Sequence, residues 1–207
     1  MPDFTLEDTL AVRYGLPIAG VDEVGRGPWA GPVVTAAVIL LPNCPNELLA
    51  QIQDSKALSP RRREAIAIAL PPYASIGIGA ASVGEIDQLN ILAATLLAMG
   101  RAVAALPQPP AAVLVDGNRL PPLPYPAETV VKGDARSLSI AAASIVAKVT
   151  RDRLMARLAT RYPAFSWERN AGYGTKAHQA GLASAGVTPH HRRSFAPIRA
   201  RLSQDGH

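Results

Sequence analysis

Apolar residues recur along this chain with two periods. Short runs rich in Val, Ile and Ala read as buried strands, and longer stretches with apolar residues every three or four positions read as helices. The first run, from Ile18 to Val21, reads as a strand that ends in the adjacent acids Asp22 and Glu23. A second run over 33–41, rich in branched residues, reads as another strand that Pro42 to Pro45 close in a turn. Residues 74–82 alternate through Ile76 and Ile78 as a third strand. A fourth, over 111–116, has Val115-Asp116-Gly117 at its tip, and a fifth, over 128–132, leads into Lys132-Gly133-Asp134.

Between these runs the period changes. Ser59 before Pro60 combines an N-cap with a proline suited to the first helical position, and predicts a helix that runs to Pro71. Ile91, Leu92, Thr95, Leu96, Met99, Ala102, Val103 and Leu106 define one apolar face of a helix over 89–106, which Pro107, Pro109 and Pro110 stop. A long helix over 138–161 is apolar at Ile140, Ala143, Ala147, Leu154 and Leu158, and carries Lys148, Arg151 and Arg153. Beyond Tyr162-Pro163 the chain turns polar, with Gly172-Tyr173-Gly174-Thr175, a short helix to about residue 185 and a basic tail at His190 to Arg193. Strands interleaved with helices give an α/β fold class. The sheet should be mixed, because the first two strands are joined too closely for a parallel crossover.

Composition narrows the chemistry. With 207 residues, 48% of them hydrophobic, the chain can bury a substantial core. A net charge of +5 beside clustered acids suits a polyanionic substrate brought to a metal site. Cys44 is the single cysteine, which excludes an internal disulfide and a cysteine-rich zinc site. The N-terminus lacks the basic and apolar regions of a signal peptide, and Arg101 interrupts the longest apolar stretch, so the expectation is a soluble, cytoplasmic protein with no membrane partner.

Asp22, Glu23, Asp116 and Asp134 all fall at strand ends or just after them. Buried carboxylates repel one another and lose hydration, so they persist when protonated, paired or neutralised by a cation. Oxygen ligands without His or Cys favour Mg²⁺ or Mn²⁺. On a regular strand Asp22 and Glu23 point to opposite faces, so sharing a cation predicts a bend at Glu23, which Gly25 and Gly27 would permit. Gly25-Arg26-Gly27-Pro28-Trp29-Ala30 also fits the glycine fingerprint of dinucleotide-binding proteins. Against that reading, Gly31-Pro32 and a branched run follow where a helix should open, and two acids precede the turn where a pyrophosphate would sit.

Six motifs in order then resemble one family: Asp22 to Val34, Asp54-Ser55-Lys56, Val115-Asp116-Gly117, Val131 to Asp134, Ser139 to Asp152, and Gly172 to Thr175. Together they resemble bacterial ribonuclease HII, the type 2 ribonuclease H. The resemblance implies an RNase H-like fold with a mixed central sheet, a catalytic domain over 1–163 and a helical C-terminal segment over 164–207 beside the active site. It implies an endonuclease that cuts the RNA strand of RNA–DNA hybrids. It also implies incision on the 5′ side of a single ribonucleotide in duplex DNA, leaving 3′-hydroxyl and 5′-phosphate ends, in ribonucleotide removal during replication and repair.

By the same resemblance Asp22, Glu23, Asp116 and Asp134 are catalytic ligands of two Mn²⁺ or Mg²⁺ ions. Gly25, Arg26 and Gly27 form the turn whose backbone reads the ribose 2′-hydroxyl, and Tyr173 packs on the deoxyribose that follows the ribonucleotide. Gly-Arg-Gly at 25–27 separates this chain from type 3 enzymes, whose turn reads Gly-Lys-Gly. Trp29 stands where the family pattern expects an aliphatic residue. Read from the residues, Lys56 is expected to touch a substrate phosphate, and Lys148 and Arg151, together with Arg192 and Arg193, to line a duplex groove. His178, His190 and His191 read as surface or capping residues rather than metal ligands. The expected assembly is a monomer bound to RNA–DNA hybrid or to a DNA duplex that contains ribonucleotides.

Overall fold

The computed structural model describes residues 1–205. Helix α1 (Thr5–Tyr14) precedes strand β1 (Ile18–Val24), which turns back into β2 (Val33–Leu40). The short α2 (Asn46–Leu49) and α3 (Pro60–Ala69) lead to β3 (Ala74–Ala81), and α4 (Val83–Leu89) and α5 (Ile91–Ala104) follow. Strands β4 (Ala112–Asp116) and β5 (Ala127–Val130) lead into the long α6 (Leu138–Arg161). Beyond it lie α7 (Trp167–Asn170), α8 (Lys176–Ala185) and α9 (Ala196–Asp205). None of the helices described is long and apolar enough to cross a membrane.

The five strands form one mixed sheet in the order β3-β2-β1-β4-β5. Strands β1, β2 and β3 are antiparallel neighbours, and β4 and β5 run parallel to β1. The short connection between β1 and β2 enforces the antiparallel pair, as the sequence spacing required. Alternation then sorts the side chains. Ala36 and Val38 of β2 face a core shared with α3 and α6, while Ala37 and Ile39 face the α5 side with Ala19 and Val21 of β1. Helix α6 lies directly against β1. A Cβ on Gly20 would fall 2.2 Å from the backbone nitrogen of Ile140, so only glycine lets the helix come this close.

The N-terminal end of α6 is fixed by a residue from the far end of the chain. Glu7, buried on α1, accepts hydrogen bonds at Oε1 from the Ser139 amide and from the hydroxyls of Ser137 and Ser139. A carboxylate at this end also complements the helix dipole. The second half of α6 supports the C-terminal helices, whose core gathers Phe165, Trp167, Leu182 and Ile198 around Met155, Ala159 and Ala30.

Several predicted elements differ in detail. The helix expected over 89–106 begins at Ile91, because the Asn90 side chain caps the amides of Leu92 and Ala93. Ahead of it α4 is a separate helix opened by a Ser82–Glu85 capping box, a signal present in the sequence as Ser-x-x-Glu. The fifth strand stops at Val130 rather than 132. Lys132 adopts a left-handed conformation (φ 55°), and a 3₁₀ turn over Gly133–Ala135 carries Asp134. Helix α1 and the basic tail's continuation into α9 have weak amphipathic patterns and were not legible.

Candidate active site

Parallel pairing places the ends of β1 and β4 side by side, with Val21 opposite Val115, so Asp22 and Asp116 emerge at the same edge. Carboxylate oxygens of Asp22, Glu23 and Asp116 lie within 4.8 Å of one another. The expected bend at Glu23 is not a break in the strand, because the β1–β2 ladder continues through Glu23–Thr35 and Val24–Val34. The Asp22 carboxylate instead folds along its own strand, and its Oδ1 accepts the Glu23 amide at 2.7 Å. Asp134 lies outside this tight trio. It is buried in its 3₁₀ turn next to Asp116, whose Oδ1 accepts the Gly133 amide at 2.6 Å.

The electrostatics of the trio are repulsive. Burial, then the charges of Glu23 and Asp116, push the Asp22 carboxyl well above its usual range. Burial also raises Glu23 and Asp116, partly offset by Arg26 at the first and by the Gly133 amide at the second. Arg26 stands 3.4 Å from Glu23, and Lys56, an exposed side chain, 3.4 Å from Asp134. Asp22 and Asp116 have no such ion pair among the described residues. A set of carboxylate oxygens without sulfur or imidazole therefore fits a hard divalent cation, which would relieve the repulsion. Beneath the acids, the Ser144 hydroxyl of α6 partly offsets the rise in the Asp22 pKa, and it lies 2.9 Å from the hydroxyl of Ser55. Those two buried serines support the site, and their part in it was not read from the sequence.

The glycine turn after β1 sits beside these acids. Gly25 (φ 93°) occupies the left-handed region, and a Cβ there would fall 2.1 Å from Nε of Arg151. Arg151 and Arg192 correct the expectation of a groove lined by these side chains, since both are fully buried. Arg192 donates to the carbonyls of Gly25, Arg26 and Gly31. Arg151 donates to those of Ala30, Pro32 and Ala171. Burial lowers both guanidinium pKa values, Arg151 to about 10 and Arg192 to about 9, so both stay charged at neutral pH. Arg193 is exposed. Lys148 is half-buried, with its amine 2.8 Å from Asp152 one turn along α6.

Tyr173 stands exposed across from the turn, and a Cβ on Gly27 would lie 3.3 Å from its Cε1. The Trp29 amide fastens the tyrosine's loop by donating to the Gly172 carbonyl at 2.8 Å. The Trp29 ring packs against Gly174, where any Cβ would overlap it, so the glycine makes room for the large aromatic. His178 and His191 are not surface residues. Both are buried among Phe165 and Trp167, with their Nε2 atoms 3.0 Å apart.

The sequence and the fold have counterparts among known proteins. A family model described as ribonuclease HII matches residues 19–198. A ribonuclease HII from Rhodospirillum rubrum is 58% identical over 207 residues, covering 99% of this chain and 93% of the relative. One from Gluconobacter oxydans is 54% identical and covers 100% and 99%. Among solved structures, ribonuclease H2 from Pyrococcus horikoshii superposes with a TM-score of 0.74 at 27% identity, over 90% of this chain and 97% of that one. The RNase HII in a PCNA complex from Archaeoglobus fulgidus gives 0.74 at 26%, over 87% and 95%.

Proposed function

The chain belongs to the ribonuclease HII family and is an endoribonuclease acting on RNA–DNA hybrids; on that premise we propose that it also incises duplex DNA 5′ of a single embedded ribonucleotide. The observation that carries this reading is the adjacency of three parts: the carboxylate trio, the Gly25-Arg26-Gly27 turn and Tyr173. Glycine at 25 and 27 lets backbone groups approach a ribose closely, and the 2′-hydroxyl is the group that separates RNA from DNA. Tyr173, exposed on the other side of the turn, offers a face for the deoxyribose that follows. In this reading the turn selects the ribonucleotide and Tyr173 reads the junction to DNA.

Asp22 and Asp116 would take the central position in metal binding, with Glu23 and Asp134 completing the ligand set. Two bound Mg²⁺ or Mn²⁺ ions would supply charge stabilisation for the attacking and leaving oxygens, giving 3′-hydroxyl and 5′-phosphate ends. Lys56, exposed beside Asp134, and Lys148 would meet substrate phosphates. Residues 1–163 would form the catalytic unit and 164–207 the segment that brings Tyr173 to it, in a monomer working in the cytoplasm on ribonucleotides left by replication.

A DNA duplex carrying one ribonucleotide and a 5′ label tests the reading, with and without Mn²⁺. The expected product is a single nick on the 5′ side of the ribonucleotide, dependent on the metal. Cleavage of continuous hybrid with no nick at the lone ribonucleotide, or a cut on its 3′ side, would overturn it.

A further inference from the structure

The buried histidine pair connects to the junction-reading tyrosine through a chain of hydrogen bonds whose direction is fixed at both ends. The Thr188 amide can only donate, and it does so to Nδ1 of His191 at 2.9 Å. His191 must therefore carry its proton on Nε2. That nitrogen lies 3.0 Å from Nε2 of His178, which must accept. The Trp167 indole N–H donates to the same His178 nitrogen at 3.3 Å, an independent indication that it holds a lone pair. His178 is then left with its proton on Nδ1, 3.0 Å from the carbonyl of Tyr173, and donates to it. Each ring has one protonation pattern that satisfies every partner.

We infer that His178 and His191 are positioning residues for substrate discrimination, their fixed tautomers relaying a hydrogen bond from Thr188 to the Tyr173 carbonyl and so setting the gap between Tyr173 and the Gly25-Arg26-Gly27 turn. The inference rests on the role proposed above for Tyr173. The opposite side of the gap is referenced to the same segment. His191 pairs with Ala30 in an antiparallel bridge, the Gly31 amide donates to the His190 carbonyl, and Arg192 holds the carbonyls of the turn. Residues 188–192 thus fasten both sides of the gap, one through imidazoles and the other through a guanidinium.

A charged His178 would set its Nε2–H against that of His191 at 3.0 Å, and a charged His191 would set its Nδ1–H against the Thr188 amide at 2.9 Å. Burial disfavours this: it lowers the pKa of His178 and, with the neighbouring rings, that of His191 to about 4. With a proton on Nε2 of His191 and the Nε2 lone pair of His178 already accepting from that ring and from Trp167, neither nitrogen has a lone pair to offer a cation.

The test compares kcat/KM on a lone-ribonucleotide duplex with kcat/KM on continuous RNA–DNA hybrid, so that the hybrid rate serves as an internal measure of folded enzyme. Asparagine at 178 keeps a donor near the Nδ1 position, whereas glutamine keeps only the contact near Nε2. The expected result is a ratio lowered about five- to tenfold for His178→Gln, the effect of one hydrogen bond of about 1 kcal/mol, and lowered by less for His178→Asn, which keeps the donor to Tyr173 but loses the acceptor for His191. Equal ratios for the two variants would overturn the relay. Tyr173→Ala runs alongside: an unchanged ratio there sinks the role of Tyr173 itself, while a changed one with wild-type behaviour of His178→Gln sinks the relay alone. Long-range ¹H–¹⁵N spectra of the unmodified protein at neutral pH need no variant to fold. They should show His178 protonated at Nδ1 and His191 at Nε2, and the other tautomer at either ring refutes the inference.

Discussion

Nη2 of Arg192 donates to the carbonyl oxygen of Gly25 at 2.5 Å, across 167 positions of sequence. This contact ties the C-terminal segment to the turn that follows β1. It places a buried positive charge where the carbonyls of Gly25, Arg26 and Gly31 converge, so the turn is held by its oxygens.

Replacing Arg192 should therefore cost more than a surface charge would. Lysine can reach one of the carbonyls of Gly25, Arg26 and Gly31 but not all three, and alanine leaves them buried without donors. Arg192→Ala is expected to lower unfolding free energy by roughly 3–5 kcal/mol and Arg192→Lys by about half of that. Urea midpoints measured at constant slope would show it, and a change under 1 kcal/mol for the alanine variant would contradict the clamp.

The two outer glycines of the turn should behave differently. Gly25→Ala forces a side chain onto φ 93° and into Arg151, with an expected loss of about 3 kcal/mol or more. Gly27→Ala meets only the exposed ring of Tyr173 at 3.3 Å, so stability should change by less than about 1 kcal/mol. Its effect should appear as slower cutting at a lone ribonucleotide. Thermal melts paired with cleavage assays separate the two outcomes.

Asp116→Asn keeps the shape of the site and its acceptor for the Gly133 amide, yet removes one charge from the trio. Turnover in Mg²⁺ should fall at least about 1,000-fold, equivalent to roughly 4 kcal/mol of transition-state stabilisation, while binding of labelled hybrid stays measurable. Retained activity would remove Asp116 from the site.

Without divalent metal, the raised carboxyls make the protein less stable as pH rises. Burial first, and mutual repulsion second, hold the Asp22 carboxyl above its usual 3.8, so the native state keeps a proton that the unfolded chain has released. Stability contributed by that proton is present at and below the ordinary carboxylate range and is lost as pH climbs through the raised native value. In EDTA, Asp22→Asn should melt at least about 3 °C above wild type near pH 8, with a smaller gap near pH 5. Adding Mn²⁺ should raise the wild-type melting temperature and leave the variant nearly unmoved. A gap independent of pH would refute the raised carboxyl, and an equal Mn²⁺ shift in both proteins would refute the assignment of Asp22 to the metal site.

Much of the architecture was local and therefore written in neighbouring residues. The strand at Ile18, the branched run at Val33, the Ser59-Pro60 helix start and the long helix to Arg161 each follow from side chains within a few positions of one another. The mixed sheet followed from a connection too short to cross over, and the acids at the strand tips stood out because carboxylates beside apolar runs need a reason. What the tertiary structure decided was the fate of residues whose partners are distant in sequence. Arg151 and Arg192 look like any surface arginines, and only the approach of the turn's carbonyls 119 to 167 positions away makes them buried clamps. His178 and His191 became a directed relay for the same reason: the tautomer of a ring is set by the groups that folding brings to both of its nitrogens, and local periodicity says nothing about those.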